Sequence, residues 1–206
     1  MISRTVRTIA AVLLAAGASS AAAQDPRIAP KLDATTQVAV TAIIDSARAI
    51  GIPPAPLIDK VNEGLSKGAD GPLIVSAVRK LAADMARAQK ALGTVASADE
   101  IKAAASAVHA GVPAVELGKL KQSSGLRRSL TLPFTVLADI VSRGVPVRTA
   151  YNAIRSLIGA GARDQQINEF QRNVRTDIEQ GAPPEAAAET RAKGAAPKPE
   201  EEIDQR

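Results

Sequence analysis

The 206-residue chain contains no cysteine and no tryptophan, and its only aromatic residues are Phe134, Tyr151 and Phe170. Without cysteine no disulfide can form, so packing has to supply the stability of the fold. A zinc site of the usual Cys/His type is excluded too, because the chain has a single histidine. The core must therefore consist mainly of alanine, leucine, isoleucine and valine, and an alanine-rich chain favours helices.

Signatures of nucleotide binding are also missing. Neither the G-x-G-x-x-G pattern nor the phosphate-binding P-loop occurs. Gly68 and the run Gly159-Ala160-Gly161 stand between predicted helices, and we interpret them as glycines of helix turns. The sequence therefore indicates no catalytic, cofactor-binding or metal-binding residue, and we expect no cofactor.

His109 lies in the last turn of a predicted helix, just before Gly111. A histidine there can donate to the free carbonyls of the helix end and complements the helix dipole, so we interpret it as structural. A catalytic role would need a nucleophile or a positioned carboxylate, which no motif supplies. The acidic run Glu200-Glu201-Glu202 with Asp204 can hold a cation only weakly, and we interpret it as a solvated tail.

Positive charge exceeds negative charge, with 26 basic and 21 acidic residues. Removing Arg4 and Arg7 with a leader sequence leaves 24 against 21, a net charge of +3. With so small an excess and so few aromatic side chains, we expect no nucleic-acid partner. The densest basic positions are Arg127-Arg128 and the pair Arg143 and Arg148; we interpret them as solvated helix ends, with contact to an anionic envelope component as the alternative.

The N-terminus has the pattern of a secretory signal peptide. A basic start is followed by an uncharged, mostly apolar run from Thr8 to Ala16 and by small residues ending in Ala21-Ala22-Ala23. The apolar run is shorter than the ~18–20 residues that a membrane span needs. We predict a signal peptide over residues 1–23, a periplasmic or secreted location, no transmembrane segment, and no lipid anchor of the kind that requires a cysteine.

An internal repeat organises the rest of the chain. Residues 51–87 align without a gap on residues 144–180, and apolar residues recur three and four positions apart in both copies. Such a repeat predicts helix–turn–helix units. A Gly-apolar-Pro joint begins at Gly51, Gly111, Gly144 and Gly181. Glycine ends a helix in the left-handed conformation, the apolar residue packs back on it, and proline suits the first turn of the next helix.

We therefore predict an all-α fold, an irregular, α-solenoid-like array of stacked antiparallel helical hairpins with about seven or eight helices. Its parts are an extended lead-in over residues 24–32, a helical-repeat domain over 33–192 and a disordered charged tail over 193–206. Asp70 and Ser97 are predicted N-caps. The predicted core residues are Leu57, Ile58, Val61, Leu65, Ile74, Val78, Leu81, Met85, Ala150, Ile154, Leu157, Ile158, Ile167, Phe170, Val174 and Ile178.

The leader, the Gly-Val/Ile-Pro joints and the phrase Leu57-Ile58-Asp59-Lys60-Val61-Asn62-Glu63-Gly64, with Lys67-Gly68-Ala69, resemble a group of alanine-rich exported bacterial proteins. The resemblance implies a helical-repeat architecture over most of the mature chain, and it brings no activity, substrate or site residue with it. The expected architecture is similar to that of α-solenoids, although the aromatic pattern of tetratricopeptide repeats is missing.

For function we favour an exported binding or scaffold module over an enzyme, because stacked hairpins offer an extended surface and no catalytic set can be assembled from the sequence. Its partner would be a protein or another component of the cell envelope. The alternative is an envelope enzyme that uses a pair of carboxylates brought together by the fold. The sequence does not determine the oligomeric state.

The leader prediction can be checked directly. Mass spectrometry of the protein purified from its native host should find a chain that begins at or near Gln24, because the small-residue run ends at Ala23. A chain that retains Met1 and is recovered from the cytosolic fraction would contradict the predicted export.

Overall fold

A computed structural model describes residues 32–125 and 128–195 of the chain. This part of the protein is all-helical and has no strand. Its helices are α1 (Ala34–Ala49), α2 (Ala55–Ser66), α3 (Gly71–Leu92), α4 (Ala98–His109), α5 (Ala114–Ser123), α6 (Thr131–Ser142), α7 (Val147–Gly159), α8 (Asp164–Glu179) and α9 (Pro184–Ala195).

The predicted all-α class is confirmed, and the described residues form nine helices where seven or eight were expected. The additional helix is α9, which begins at Pro184 and contains the run Ala186-Ala187-Ala188. Proline is tolerated in the first turn of a helix, and alanine is the strongest helix former. Ala187 and Ala188 are buried, so tertiary packing supports this helix as well.

Five helices form a row in which each one packs on the next, in the order α1, α3, α4, α6 and α8. The other four, α2, α5, α7 and α9, lie against this row, and each of them directly follows a Gly-x-Pro joint. The hairpin partners α2 and α3 pack together, as do α8 and α9, whereas α7 packs chiefly on α9 and α6. The two copies of the sequence repeat therefore pack differently: α2 and α3 of the first copy pack on each other, whereas α7 and α8 of the second copy make at most a slight contact and do not form the predicted packed hairpin.

The joints have the hydrogen bonds of a Schellman motif. At Gly144 the backbone N–H donates to the carbonyl of Val141 at 2.9 Å, and the N–H of Val145 donates to the carbonyl of Ile140 at 3.1 Å. The φ angle of Gly144 is 93°, in the left-handed region. All four predicted joint glycines have positive φ, and the same bonds and sign of φ occur at Gly68 and Gly161, so our interpretation of these two as helix-turn glycines is confirmed.

The predicted helix starts are confirmed as well. The Asp70 carboxylate accepts from the N–H of Leu73 at 2.9 Å, and Ser97 forms a reciprocal capping box with Glu100. Pro133 lies at the third position of α6, where its missing N–H costs little, so it marks the start of that helix rather than a kink.

Thirteen of the sixteen predicted core residues are buried, and the exceptions are Leu65, Leu81 and Ile178, which are only partly buried. Leu65 and Ile178 lie in the last turns of α2 and α8, where the chain leaves the core. Leu81 lies on α3 at the edge of a groove. For these three the helical periodicity correctly predicts the side facing the core, and the depth of burial depends on where the neighbouring helix stops.

Glycine also allows two helices to approach closely away from the joints. A Cβ placed on Gly118 in α5 would lie 2.7 Å from the backbone carbonyl oxygen of Ala91 in α3. No side-chain atom fits at that distance, so α5 can pack on α3 at this point only because residue 118 is glycine.

The carboxylate of Glu100 joins three parts of the fold. It accepts from Lys121 Nζ at 2.7 Å, from the N–H of Leu130 at 2.8 Å and from the N–H of Ser97 at 3.2 Å. Burial raises the pKa of Glu100, but these hydrogen bonds and the Lys121 charge outweigh burial and hold the pKa below its usual value. The Glu100 and Lys121 side chains are only 5% and 10% exposed, so the pair is buried.

Both termini lie largely outside the described residues. The predicted signal peptide and most of the lead-in fall in residues 1–31, and the acidic run Glu200-Glu201-Glu202 falls in residues 196–206. Helix α9 extends through Lys193 to Ala195, the first three residues of the predicted tail.

Two glycines of the α7–α8 connection provide a matched pair of substitutions. Gly161 has a φ of 74° and Gly159 is helical, and no atom lies within 4 Å of a Cβ added at either one. Gly161→Ala should lower the free energy of unfolding by about 1–2 kcal/mol, the cost of a side chain in the left-handed region. Gly159→Ala should instead raise it by about 0.5–1 kcal/mol. Urea unfolding at pH 7 measures both, and equal changes would contradict the role assigned to the joint.

The buried pair can be tested through pH. Glu100→Gln leaves the Lys121 ammonium buried without a counter-charge and should cost about 3 kcal/mol at pH 7. Because the folded-state pKa of Glu100 is lowered, its contribution is present above the unfolded-state pKa of about 4.3 and is lost as the pH falls through the folded value. The difference in urea midpoint between wild type and variant should therefore shrink at pH 3. Glu189→Gln, at an exposed site, is the control, and a pH-independent difference would contradict this assignment.

Candidate functional site

A groove of about 770 Å³, here called the central groove, lies over the middle of the helix row. Helices α3, α4 and α6 and the flanking helix α2 supply its walls. Both charged and apolar side chains line it, and the residues are Pro56, Asp59, Lys60, Glu63, Ala77, Lys80, Leu81, Lys102, Ala105, Ser106, His109, Ala138, Asp139 and Ser142.

His109 lies in this groove and contacts a carboxylate from the neighbouring helix. Its Nδ1 is 3.0 Å from Oδ2 of Asp84 on α3, and Arg87 donates to the other oxygen of the same carboxylate. Asp84 is fully buried, whereas the side chain of His109 is 58% exposed. Since a carboxylate that also accepts from a guanidinium acts as an acceptor, Nδ1–H donates to Asp84 and Nε2 stays free for a ligand or for solvent.

Two other carboxylates at the groove are neutralised by their own neighbours. Glu63 accepts from Lys60 Nζ at 2.8 Å and also from Lys67, and these hydrogen bonds lower the pKa of Glu63 to about 2. Asp139 accepts from Arg143 Nε at 3.0 Å and from Gln171 Nε2 at 2.8 Å. Neither carboxylate therefore leaves an uncompensated negative charge in the groove.

Lys80 on α3 and Lys102 on α4 also line the groove, and neither has an ion pair or a hydrogen bond to any residue in the described part of the chain. Asp59 on α2 is likewise unpaired within that part. The groups that remain available to a ligand are therefore two ammonium groups, one carboxylate and the free nitrogen of His109.

Where a carboxyl group of the described residues has a shifted pKa, the shift is downwards, and a general acid needs a raised pKa. The pKa is held below its usual value in Asp33, Glu63, Glu100, Glu116 and Asp177, chiefly by hydrogen bonds that favour the ionised form, with burial opposing them at Glu100. A glycosidase-type acid needs the opposite shift. No cluster of three or more histidine, aspartate or glutamate side chains that could hold a metal ion occurs in residues 32–125 and 128–195.

The basic positions predicted from the sequence do not come together at the central groove. Arg128 donates to the carbonyl of Ala162 and borders a more open depression of about 810 Å³ near the start of α8. Arg127 falls in residues 126–127, which the structure does not describe. Arg143 pairs with Asp139, and Arg148 lies on α7 near α9.

Sequence reasoning missed Asp84, Lys80 and Lys102. Asp84 is 25 residues from His109, and no motif connects them. One signal was present: Asp84 lies one position before Met85, on the buried side of a helix whose apolar stripe was predicted correctly. A charged residue within such a stripe indicates a buried partner, although it does not identify that partner.

No protein-family model, no curated protein and no solved structure matches the chain. Among the described helices none is both long enough and apolar enough to span a membrane.

The tautomer of His109 is open to measurement because the chain has one histidine. Nitrogen-15 spectra of the imidazole should show a neutral form that is protonated at Nδ1 and bare at Nε2, since Asp84 accepts from Nδ1. Asp84→Asn should remove this preference, whereas Asp45→Asn at a surface ion pair should not. A neutral imidazole protonated at Nε2 in the wild type would contradict the geometry.

Proposed function

We propose that this protein is an exported binding module of the cell envelope that holds its ligand in the central groove. The observation that carries the proposal is the groove itself, which is built by four helices and combines apolar side chains with charged groups left free for a partner. Ligand sites are typically concave, mostly apolar and of ~300–1,000 Å³, and the groove falls within that range.

The arrangement of the groove supports binding more directly than catalysis. Its walls come from α2, α3, α4 and α6, whose relative positions are set by the glycine joints and by the contact of Asp84 with His109. Such a site is preorganised, which lowers the entropy cost of holding a ligand. An extended helical row of this kind is the usual scaffold for binding surfaces in repeat proteins.

The export part of the proposal rests on the N-terminal sequence. A basic start, an apolar run and a small-residue end at Ala23 are the elements that the secretion machinery reads. On this basis the ligand is a component of the periplasm or of the cell surroundings, and no nucleic-acid partner is proposed.

The second candidate is an envelope enzyme, and the contact between Asp84 and His109 is the observation that favours it. A buried carboxylate that holds Nδ1–H leaves Nε2 directed to act as a general base on a bound hydroxyl or water. The carboxylate-pair chemistry considered from the sequence has less support, since Glu63 in the groove has a pKa of about 2 and stays ionised. Turnover of a groove-bound compound that is lost in His109→Gln would favour the enzyme over the binding module.

The binding proposal can be tested by filling the groove. Ser106 and Ser76 are both exposed serines within helices, but only Ser106 lines the groove. The mature protein, Ser106→Trp and Ser76→Trp should be used to capture compounds from envelope extracts, with proteins, lipids and glycans all analysed. We expect at least one component to be retained by wild type and by Ser76→Trp and to be lost with Ser106→Trp. Retention that is equal for all three forms would argue against the groove as the binding site.

A further inference from the structure

We propose that the central groove takes a small amphiphilic oxyanion, that is, an apolar body carrying a carboxylate or a phosphate, and that Lys80 and Lys102 bind its charged group. This inference rests on the proposed function, because it names the ligand class of the same groove.

The balance of charges in the groove favours an anion. The negative groups Glu63, Asp84 and Asp139 all accept from cationic neighbours, so their charge is compensated within the fold. Lys80 and Lys102 have no such partner in the described part of the chain. Two uncompensated ammonium groups on neighbouring helices give the groove a local positive potential that favours an anion.

The two lysine side chains are suited to binding a carboxylate or a phosphate. An ammonium group is a compact point charge with three rotatable donors, which suits a carboxylate or a phosphate without demanding one fixed geometry. Lys80 lies on α3 and Lys102 on α4, and these helices pack on each other, so both side chains border the same groove. His109 lies in the same groove on α4 with its Nε2 free.

The groove also has an apolar part that can contact a hydrocarbon chain. Ala77 and Leu81 on α3, Ala105 on α4 and Ala138 on α6 line it beside the charged groups. Leu81 is a residue that the helical pattern predicts to be buried, yet it is only partly buried because it faces this opening. An occupant with a hydrocarbon portion would cover it and gain ~25 cal/mol for each Å² of apolar surface removed from water.

Asp59 should affect the affinity for an anion in the opposite direction from the two lysines. It is the one unpaired carboxylate among the described residues that line the groove, so it repels an anion. Removing its charge should strengthen binding, whereas removing the charges of Lys80 and Lys102 should weaken it.

The test uses ligands of one chain length with different heads, namely octyl phosphate, octanoate and octyltrimethylammonium, together with inorganic phosphate. Calorimetry gives the affinity, and the signal of the single imidazole, His109, reports whether the groove is the site. We expect the two anionic amphiphiles to bind and to shift that signal, with the phosphate and carboxylate arms showing which head is preferred. The cationic amphiphile and inorganic phosphate should bind more weakly.

Variants then locate the charge. Lys80→Gln combined with Lys102→Gln should weaken the better anionic ligand about tenfold, as expected for two partly exposed charge contacts. Asp59→Asn should strengthen it. Lys90→Gln combined with Lys193→Gln removes the same total charge from exposed positions outside the groove and should change little.

Equal affinity for anionic and cationic amphiphiles would overturn the inference. So would an equal loss of affinity in the two double lysine variants. Inorganic phosphate binding as tightly as octyl phosphate would overturn its amphiphilic part. If the anionic amphiphiles fail while capture from extracts is still lost in Ser106→Trp, the ligand class is wrong and the binding function stands. If capture does not depend on Ser106, the proposed function itself fails.

Discussion

The left-handed glycine at the end of a helix is the constraint on which this structure depends. At six positions among the described residues the chain leaves a helix through a glycine with positive φ, and the N–H of the next residue donates back to that helix. That residue is buried at the joints of Gly51, Gly111, Gly144 and Gly161, where it is Ile52, Val112, Val145 and Ala162. The joint therefore sets the direction of the next helix and also contributes an apolar residue to the core. This explains how a chain without disulfides and with three aromatic residues keeps its helices in defined relative positions.

The groove is a consequence of the same joints. Gly51 and Gly68 lie at the two ends of α2 and so place that helix against α3. Helices α3 and α4 pack on each other, and the contact between the buried Asp84 and His109 also connects them at the groove. Polar groups that stabilise the fold therefore lie next to polar groups that are free to bind a ligand. The free groups are those that form no hydrogen bond or ion pair within the described part of the chain.

Much of the fold could be predicted from the sequence because its determinants are local. The period of apolar residues, the joint glycines and the caps at Asp70 and Ser97 depend on neighbours within a few residues. The site could not be predicted, because periodicity shows which side of a helix faces the core and not which helix it will meet there. Asp84 and His109 are 25 residues apart, and the free state of Lys80 and Lys102 depends on where every nearby carboxylate finds its partner. The exposure of Leu81 has the same origin, since an opening between helices is a property of the assembled row.

The order of helices along the row has a consequence for how the protein opens. Helix α1 and helices α8 and α9 lie at its two ends, whereas α3, α4 and α6 have packed neighbours on both sides. In a chain whose contacts are mainly between successive units, local unfolding starts at the ends, where fewer contacts must break. Amide hydrogens of α4 should therefore exchange with solvent more slowly than those of α1 or α9. The groove is lined by α3, α4 and α6 of the row, so its shape should persist while the ends of the row open and close again.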